Sequence, residues 1–355
     1  MPISDAMRSA RAILLLAPAA LGLSAGAAAQ PDRRPDAARR IVAYFDFEER
    51  LTNPEPIPMG WRVDQDRPER DRPGFPIYNL PALDYAVAAQ GEGSVRLPTR
   101  GGSTSLVVET GVIPVFPEAD YLITCQARTE GLTHARAFVE ASMLDAQGNV
   151  IEGSRRRSRP IEGSAWTQAE VSLRGDWPDA AFVRLELLVL QAEQHQPDPP
   201  GYGRVWPMDV SGAAWFDNVA VIQQPRITIT TGAAGNIVTA PEGPTLEVLA
   251  RDTAGQRLDA ITTLYDVSGA VVASAARSID AGRWQERWSP GLTRFGWYRC
   301  VVEIYAEGDR IGWEALDLAW LPPSGSASPA HGSDGLGVAL TACPPSLIPE
   351  LVRAT

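Results

Sequence analysis

The 355-residue sequence contains no lysine; all 32 of its basic residues are arginine. That excludes Schiff-base and lysine general-base chemistry. The three cysteines, Cys125, Cys300 and Cys343, do not make a disulfide framework. Cys125 and Cys300 fall inside strand patterns, where a free thiol behaves as a small hydrophobe. The three histidines, His134, His195 and His331, lie far apart, and no zinc site follows from them. Also missing are GxSxG, HExxH, Walker A and GxGxxG motifs. No strand carries the paired carboxylates of a jelly-roll glycosidase. An acid/base pair would have to be assembled from separate segments. These absences point away from catalysis by the residues given. A net charge of −11 argues against nucleic-acid binding. No segment is long and apolar enough to span a bilayer.

What is present begins with a secretory pattern. Arg8 and Arg11 precede an apolar run from Ala12 to Ala20, and Ala27-Ala28-Ala29 forms a small-residue cleavage site before Gln30. Residues 1–29 read as a signal peptide, so the expected location is secreted or periplasmic. Residues 30–40, QPDRRPDAARR, read as a linker.

From Ile41 the pattern is alternation between turns. Tyr121, Ile123, Cys125 and Ala127 face one way; Val139, Ala141 and Met143 oppose Arg136, Glu140 and Ser142; Ala169, Val171 and Leu173 oppose Gln168, Glu170 and Ser172. VRLELLVLQ, apolar on both faces after Glu186, reads as a central strand. Turns around Gly148, Gly255 and Gly269 read as hairpins. A boundary is expected after Gln224. Residues 226–322 then supply about six more strand patterns, which fit an immunoglobulin-like sandwich. Tyr298, Cys300, Val302 and Ile304 form its inward face. Residues 323–334 are a second linker rich in Ser, Pro and Gly. Residues 335–355 read as one strand and one helix, the truncated start of a further, α/β-barrel domain.

Two groups of residues invite a ligand. In GAAWFDNVAVIQQ, alternation puts Trp215, Asp217, Val219 and Val221 on one face. A carboxylate among valines needs backbone N–H donors, an arginine or a cation. Calcium takes carboxylate and carbonyl oxygens, and AYFDFEER offers Asp46 and Glu48 in the first strand. The second group is aromatic. Trp61, Tyr78, Trp177, Tyr202 and Trp206 lie in polar, Pro-rich loops rather than strand patterns, and such rings stack on sugars. Trp215, Trp297 and Trp320 read as core. The run Arg155-Arg156-Arg157-Ser158-Arg159 reads as a solvated loop, with an acidic glycan as its ligand if it has one.

Several segments together, YFDFEE, GEGSVRLPTRGGSTSL, DYLITCQARTEGLTHARAFVEASMLDAQGNVI, AWTQAEVSL and GAAWFDNVAVI, resemble the galactose-binding-like jelly rolls of carbohydrate-binding modules attached to bacterial glycoside hydrolases. The resemblance covers residues 41–225. It implies an all-β fold: a jelly-roll β-sandwich, here followed by the immunoglobulin-like one. It also implies a structural Ca2+ between Glu48 and Asp217, with Asp46 as a further ligand, and a polysaccharide or glycan as partner. The order of domains is similar to that of large exported glycosidases of planctomycete type, which implies packing on a C-terminal catalytic domain. The rival readings are a cell-surface adhesion protein, whose sandwiches serve protein contacts, and a jelly-roll enzyme acting alone.

Overall fold

The computed structural model of the protein describes residues 40–66, 71–116, 118–196, 205–252, 254–280 and 282–323. The expected signal peptide, most of the first expected linker, Tyr202, all but the first residue of the second expected linker and the expected barrel start lie outside the described residues. What is described is almost wholly β.

The strands of the first sandwich are β1 (Ile41–Phe45), β2 (Trp61–Val63), β3 (Ala82–Asp84), β4 (Ser94–Pro98), β5 (Thr104–Val108), β6 (Ala119–Glu130), β7 (Arg136–Leu144), β8 (Arg156–Arg157), β9 (Thr167–Leu173), β10 (Phe182–Leu190) and β11 (Ala213–Thr230). A short helix, α1 (Ala192–His195), follows β10. In one sheet β11 pairs with β6 along one side and with β4 and then β1 along the other; β9 flanks β6 and β3 flanks β4. The second sheet has the order β2-β5-β10-β7-β8. Their inner faces form the core of a jelly-roll sandwich. Tyr121, Ile123, Cys125 and Ala127 from β6 meet Val139, Ala141 and Met143 from β7 and Leu185 and Leu187 from β10 in one buried cluster. The alternation read in these segments is the alternation observed, and β10 is the central strand of its sheet.

The second sandwich adds β12 (Ile237–Thr239), β13 (Leu246–Arg251), β14 (Leu258–Asp266), β15 (Val271–Ile279), β16 (Arg283–Trp288), β17 (Gly296–Ala306) and β18 (Asp309–Leu321). One sheet is β12-β18-β17-β14-β15; the other joins β13 and β16 to the end of β11. Tyr298, Cys300, Val302 and Ile304 are buried between them as expected. Trp297 is the exception. Expected in the core, it alternates outward on β17 and is 59% exposed.

The boundary expected after Gln224 is not a loop. Strand β11 runs through it, pairing with β6 up to Pro225 and with β13 from Arg226 onward. Beside this junction Arg40 is 2% exposed and holds Asp252 through two hydrogen bonds of 2.7 and 2.9 Å, with Gln256 also accepting from its guanidinium. Arg40, read as the last linker residue, is therefore an anchor between the sandwiches.

Candidate functional site: a charged cleft on the open sheet

The outer face of the β2-β5-β10-β7-β8 sheet departs from the polar, solvated face that its pattern suggests. Cross-strand register sets Arg62, Val107, Glu186, Glu140 and Arg157 in one row over all five strands. Glu186 and Glu140 are thus direct neighbours on one face, at a spacing where like charges destabilise a sheet. Both are buried, at 3% and 6% exposure. Arginines on each side compensate them. Glu186 accepts from Arg72 Nη2 at 2.6 Å, from Arg184 Nη2 at 2.8 Å and from the Ser105 hydroxyl. Glu140 accepts from Arg157 Nε at 2.8 Å, with Arg155 3.4 Å away. Arg72 and Arg184 also share Asp64. Burial alone would raise the carboxyl of Glu186, but the charges of Arg72 and Arg184 and its hydrogen bonds hold it at about 2.

This network floors a half-open cleft of about 450 Å³. Its apolar side is Phe75, Leu188 and Leu190, which cluster with Phe138 beneath. Arg72 lies over the Phe75 ring at 3.9 Å and Arg157 over Phe138 at 5.2 Å. A general acid must hold a proton near neutral pH. Glu186 is held ionised by Arg72 and Arg184, and Glu140 is engaged by Arg157.

Asp217 is fully buried, and a β-bulge determines where it points. Asn218 and Val219 together oppose Cys125, and Asn218 takes a positive φ of 49°. The extra residue interrupts the alternation. Ala214 and Phe216 face the core before the bulge, and Val219 and Val221 after it. Trp215 and Asp217 therefore share the opposite face from the valines, which corrects the face read from the sequence. Trp215 donates its Nε1 to Asp84 at 2.7 Å. Asp217 Oδ2 accepts from the N–H groups of Ala89 and Gln90, at 2.8 and 3.1 Å, and Oδ1 from that of Asn218. Burial raises its carboxyl above the ordinary value, and the charge of Glu48 adds to this.

The first and closing strands do lie side by side, Phe45 opposite Val219. Strand β1 ends at Phe45, however, so Asp46 and Glu48 sit past it rather than in it. Glu48 Oε1 accepts from the N–H groups of Glu92 and Gly93 at 2.8 and 3.0 Å, next to the stretch that Asp217 holds. This accounts for GEG in the sequence: a Cβ on Gly91 would fall 2.1 Å from Glu48 Oε1, and one on Gly93 2.3 Å from the carbonyl oxygen of Phe47. Asp46 is exposed and caps the N–H of Glu48. Among the described residues no three His, Cys, Asp or Glu side chains come close enough together to hold a metal ion. A cation here would take Glu48 and Asp217 and complete its shell, of about six to eight oxygens, from carbonyls and water.

The loop aromatics do not gather at the cleft. Trp61 is core: it opens β2, is 3% exposed and packs edge-on against Phe45 at 4.9 Å. The GW pair that looked like a loop is the start of a strand. Trp177 is partly buried against the core and Trp206 is half-buried, while Tyr78 is 56% exposed. None of these four lines the cleft. Of the basic run, Arg155 and Arg157 do. Sequence reading missed Glu140, Glu186, Arg72 and Arg184. The available signal was the pair of charges, Arg184 and Glu186, inside an otherwise apolar central strand.

Fold and cleft together define a class: an all-β protein of two joined sandwiches with an arginine–carboxylate cleft on an open sheet. No family profile and no curated protein matches the chain. Solved structures align at low similarity. The CBM22-1 xylan-binding domain from Paenibacillus barcinonensis aligns at 12% identity and a TM-score of 0.34, over 52% of this chain and 94% of that one. The CBM22-1–GH10 modules of a Clostridium thermocellum endo-1,4-β-D-xylanase align at 12% identity and 0.33, over 57% of this chain and 33% of that one. A Bacteroides uniformis β-glucuronidase aligns at 14% identity and 0.25, over 64% and 26%. Scores of this size carry no argument about what the chain binds.

Proposed function

We propose that this protein is a carbohydrate-binding accessory region of an exported glycoside hydrolase, non-catalytic in the residues described. The observation that carries the reading is the cleft. It is an open groove on a sheet face, with an apolar side and buried charged groups at its floor, the kind of concave site that holds a ligand. The sequence resemblance to carbohydrate-binding jelly rolls supports the same assignment. In this reading the second, immunoglobulin-like sandwich is a spacer, and the sandwiches pack on a catalytic domain. Affinity electrophoresis of the whole chain through gels containing neutral and acidic polysaccharides tests it. Retardation by at least one polysaccharide is expected; migration unchanged in all of them overturns it.

A structural Ca2+ belongs to the same proposal. Glu48 and Asp217 clasp one loop, and among the described residues neither carboxylate is in an ion pair with an arginine; backbone N–H groups hold both. A divalent ion there raises the melting temperature on adding Ca2+ and lowers it with chelator; a melting temperature blind to both removes the ion from the reading.

A further inference from the structure

The charges around the cleft are layered. The carboxylates lie deepest: the side chains of Glu186 and Glu140 are 4% and 8% exposed. The guanidinium groups stand above them: Arg184 is 15% exposed, Arg157 34% and Arg155 59%. A ligand entering from solvent meets the arginines first, although the chain as a whole carries −11.

Unused bonding capacity is equally one-sided. Each oxygen of Glu140 already faces a guanidinium, and each oxygen of Glu186 accepts from an arginine. The arginines are not used up. Arg157 engages Glu140 through Nε and Nη2, which leaves Nη1; Arg184 reaches both of its carboxylates through Nη2 alone; Arg155 approaches Glu140 only through Nε. The walls therefore offer free N–H donors from three arginines, beside the amide of Gln194 and the carboxylate of Asp71. A neutral sugar presents hydroxyls that both donate and accept, and only their acceptor side uses this donor set. A planar carboxylate or a sulfate presents acceptors alone and matches the guanidinium fork. The acidic group of the lining that stands apart, Asp71, is exposed.

We infer that the cleft takes an anionic sugar unit, a uronate or a sulfated residue, held by Arg155, Arg157 and Arg184. This rests on the carbohydrate-binding reading and specifies the substrate class. Half of the basic run read as a solvated loop is thereby the rim of a binding site, while Arg156 and Arg159 are exposed and do not line it.

Titration calorimetry of the whole chain tests it with polygalacturonate, dextran sulfate, xylan and unsubstituted dextran. Binding to polygalacturonate or dextran sulfate, weakened by added salt, is expected; which of the two binds distinguishes carboxylate from sulfate. Arg155→Gln and Arg157→Gln, each checked for an unchanged circular dichroism spectrum, should weaken binding about tenfold. Arg156→Gln and Arg159→Gln should leave it within about twofold, since surface charges act weakly. Equal binding of neutral and acidic polymers overturns the inference while leaving the carbohydrate-binding function standing. Equal loss in all four arginine variants also overturns it, because the basic run would then act as a diffuse patch. Binding of none of the polymers removes both.

Discussion

Glu186, Glu140 and Asp217 are buried carboxylates that reach the same end by different partners. Glu186 and Glu140 are compensated by arginines, whereas Asp217 is compensated by three backbone N–H groups. Leaving a buried donor without an acceptor costs about 1–3 kcal/mol. Asp217→Ala strands the N–H groups of Ala89, Gln90 and Asn218, so a loss of about 1–3 kcal/mol in urea unfolding is expected. Glu48→Ala, at an exposed position, should lose less. That Asp217 needed a partner was readable from a charge inside an apolar strand. Which partner was not, because the N–H groups belong to a loop 128 positions away in the chain.

Strand β11 is the element that makes the two sandwiches one body. Its first part is gripped on both sides by β6, β4 and β1, and its last residues by β13. The Arg40–Asp252 pair, 2% exposed on each side, clips the start of the chain to the second sandwich at the same place. Removing one partner of a buried ion pair leaves the other charge uncompensated, at about 3–5 kcal/mol. Arg40→Ala should therefore lower stability by about 3–5 kcal/mol in guanidinium unfolding. Arg310→Ala, whose pair with Glu303 lies at the surface, should change it by under about 1 kcal/mol. Strand existence was legible in the alternation of β6, β7 and β9, since a half-buried sheet imposes that period on side chains. The bulge in β11 was not legible, because Asn218 is read as one more strand residue until its neighbours show two residues opposing one. The continuity of β11 through Pro225 was hidden for the related reason that proline reads as a break.

At the scale of the whole molecule, the cleft network has a pH signature. The carboxyl of Glu186 lies near 2 in the folded state against an ordinary 4.5. A carboxyl depressed on folding contributes stability that is complete above the unfolded value and is lost as pH falls through the folded one. Acid titration should thus show stability falling from about pH 4.5 toward about pH 2. In Glu186→Gln that slope should flatten, with the variant already less stable at neutral pH because Arg72 and Arg184 lose their counter-charge. An unchanged slope would show that the carboxylate is not held by these arginines.

By itself the sequence determined the all-β class and the inward faces of β6, β7 and β9, because burial on one side of a sheet writes a local period into the chain. It also marked Asp217 and the arginine run as places needing an explanation. Only the tertiary structure decided the cleft. Glu140 and Glu186 are 46 positions apart, and Arg72 bonds Glu186 across 114. Strand register makes them neighbours, and register is a property of paired backbones that no single segment carries.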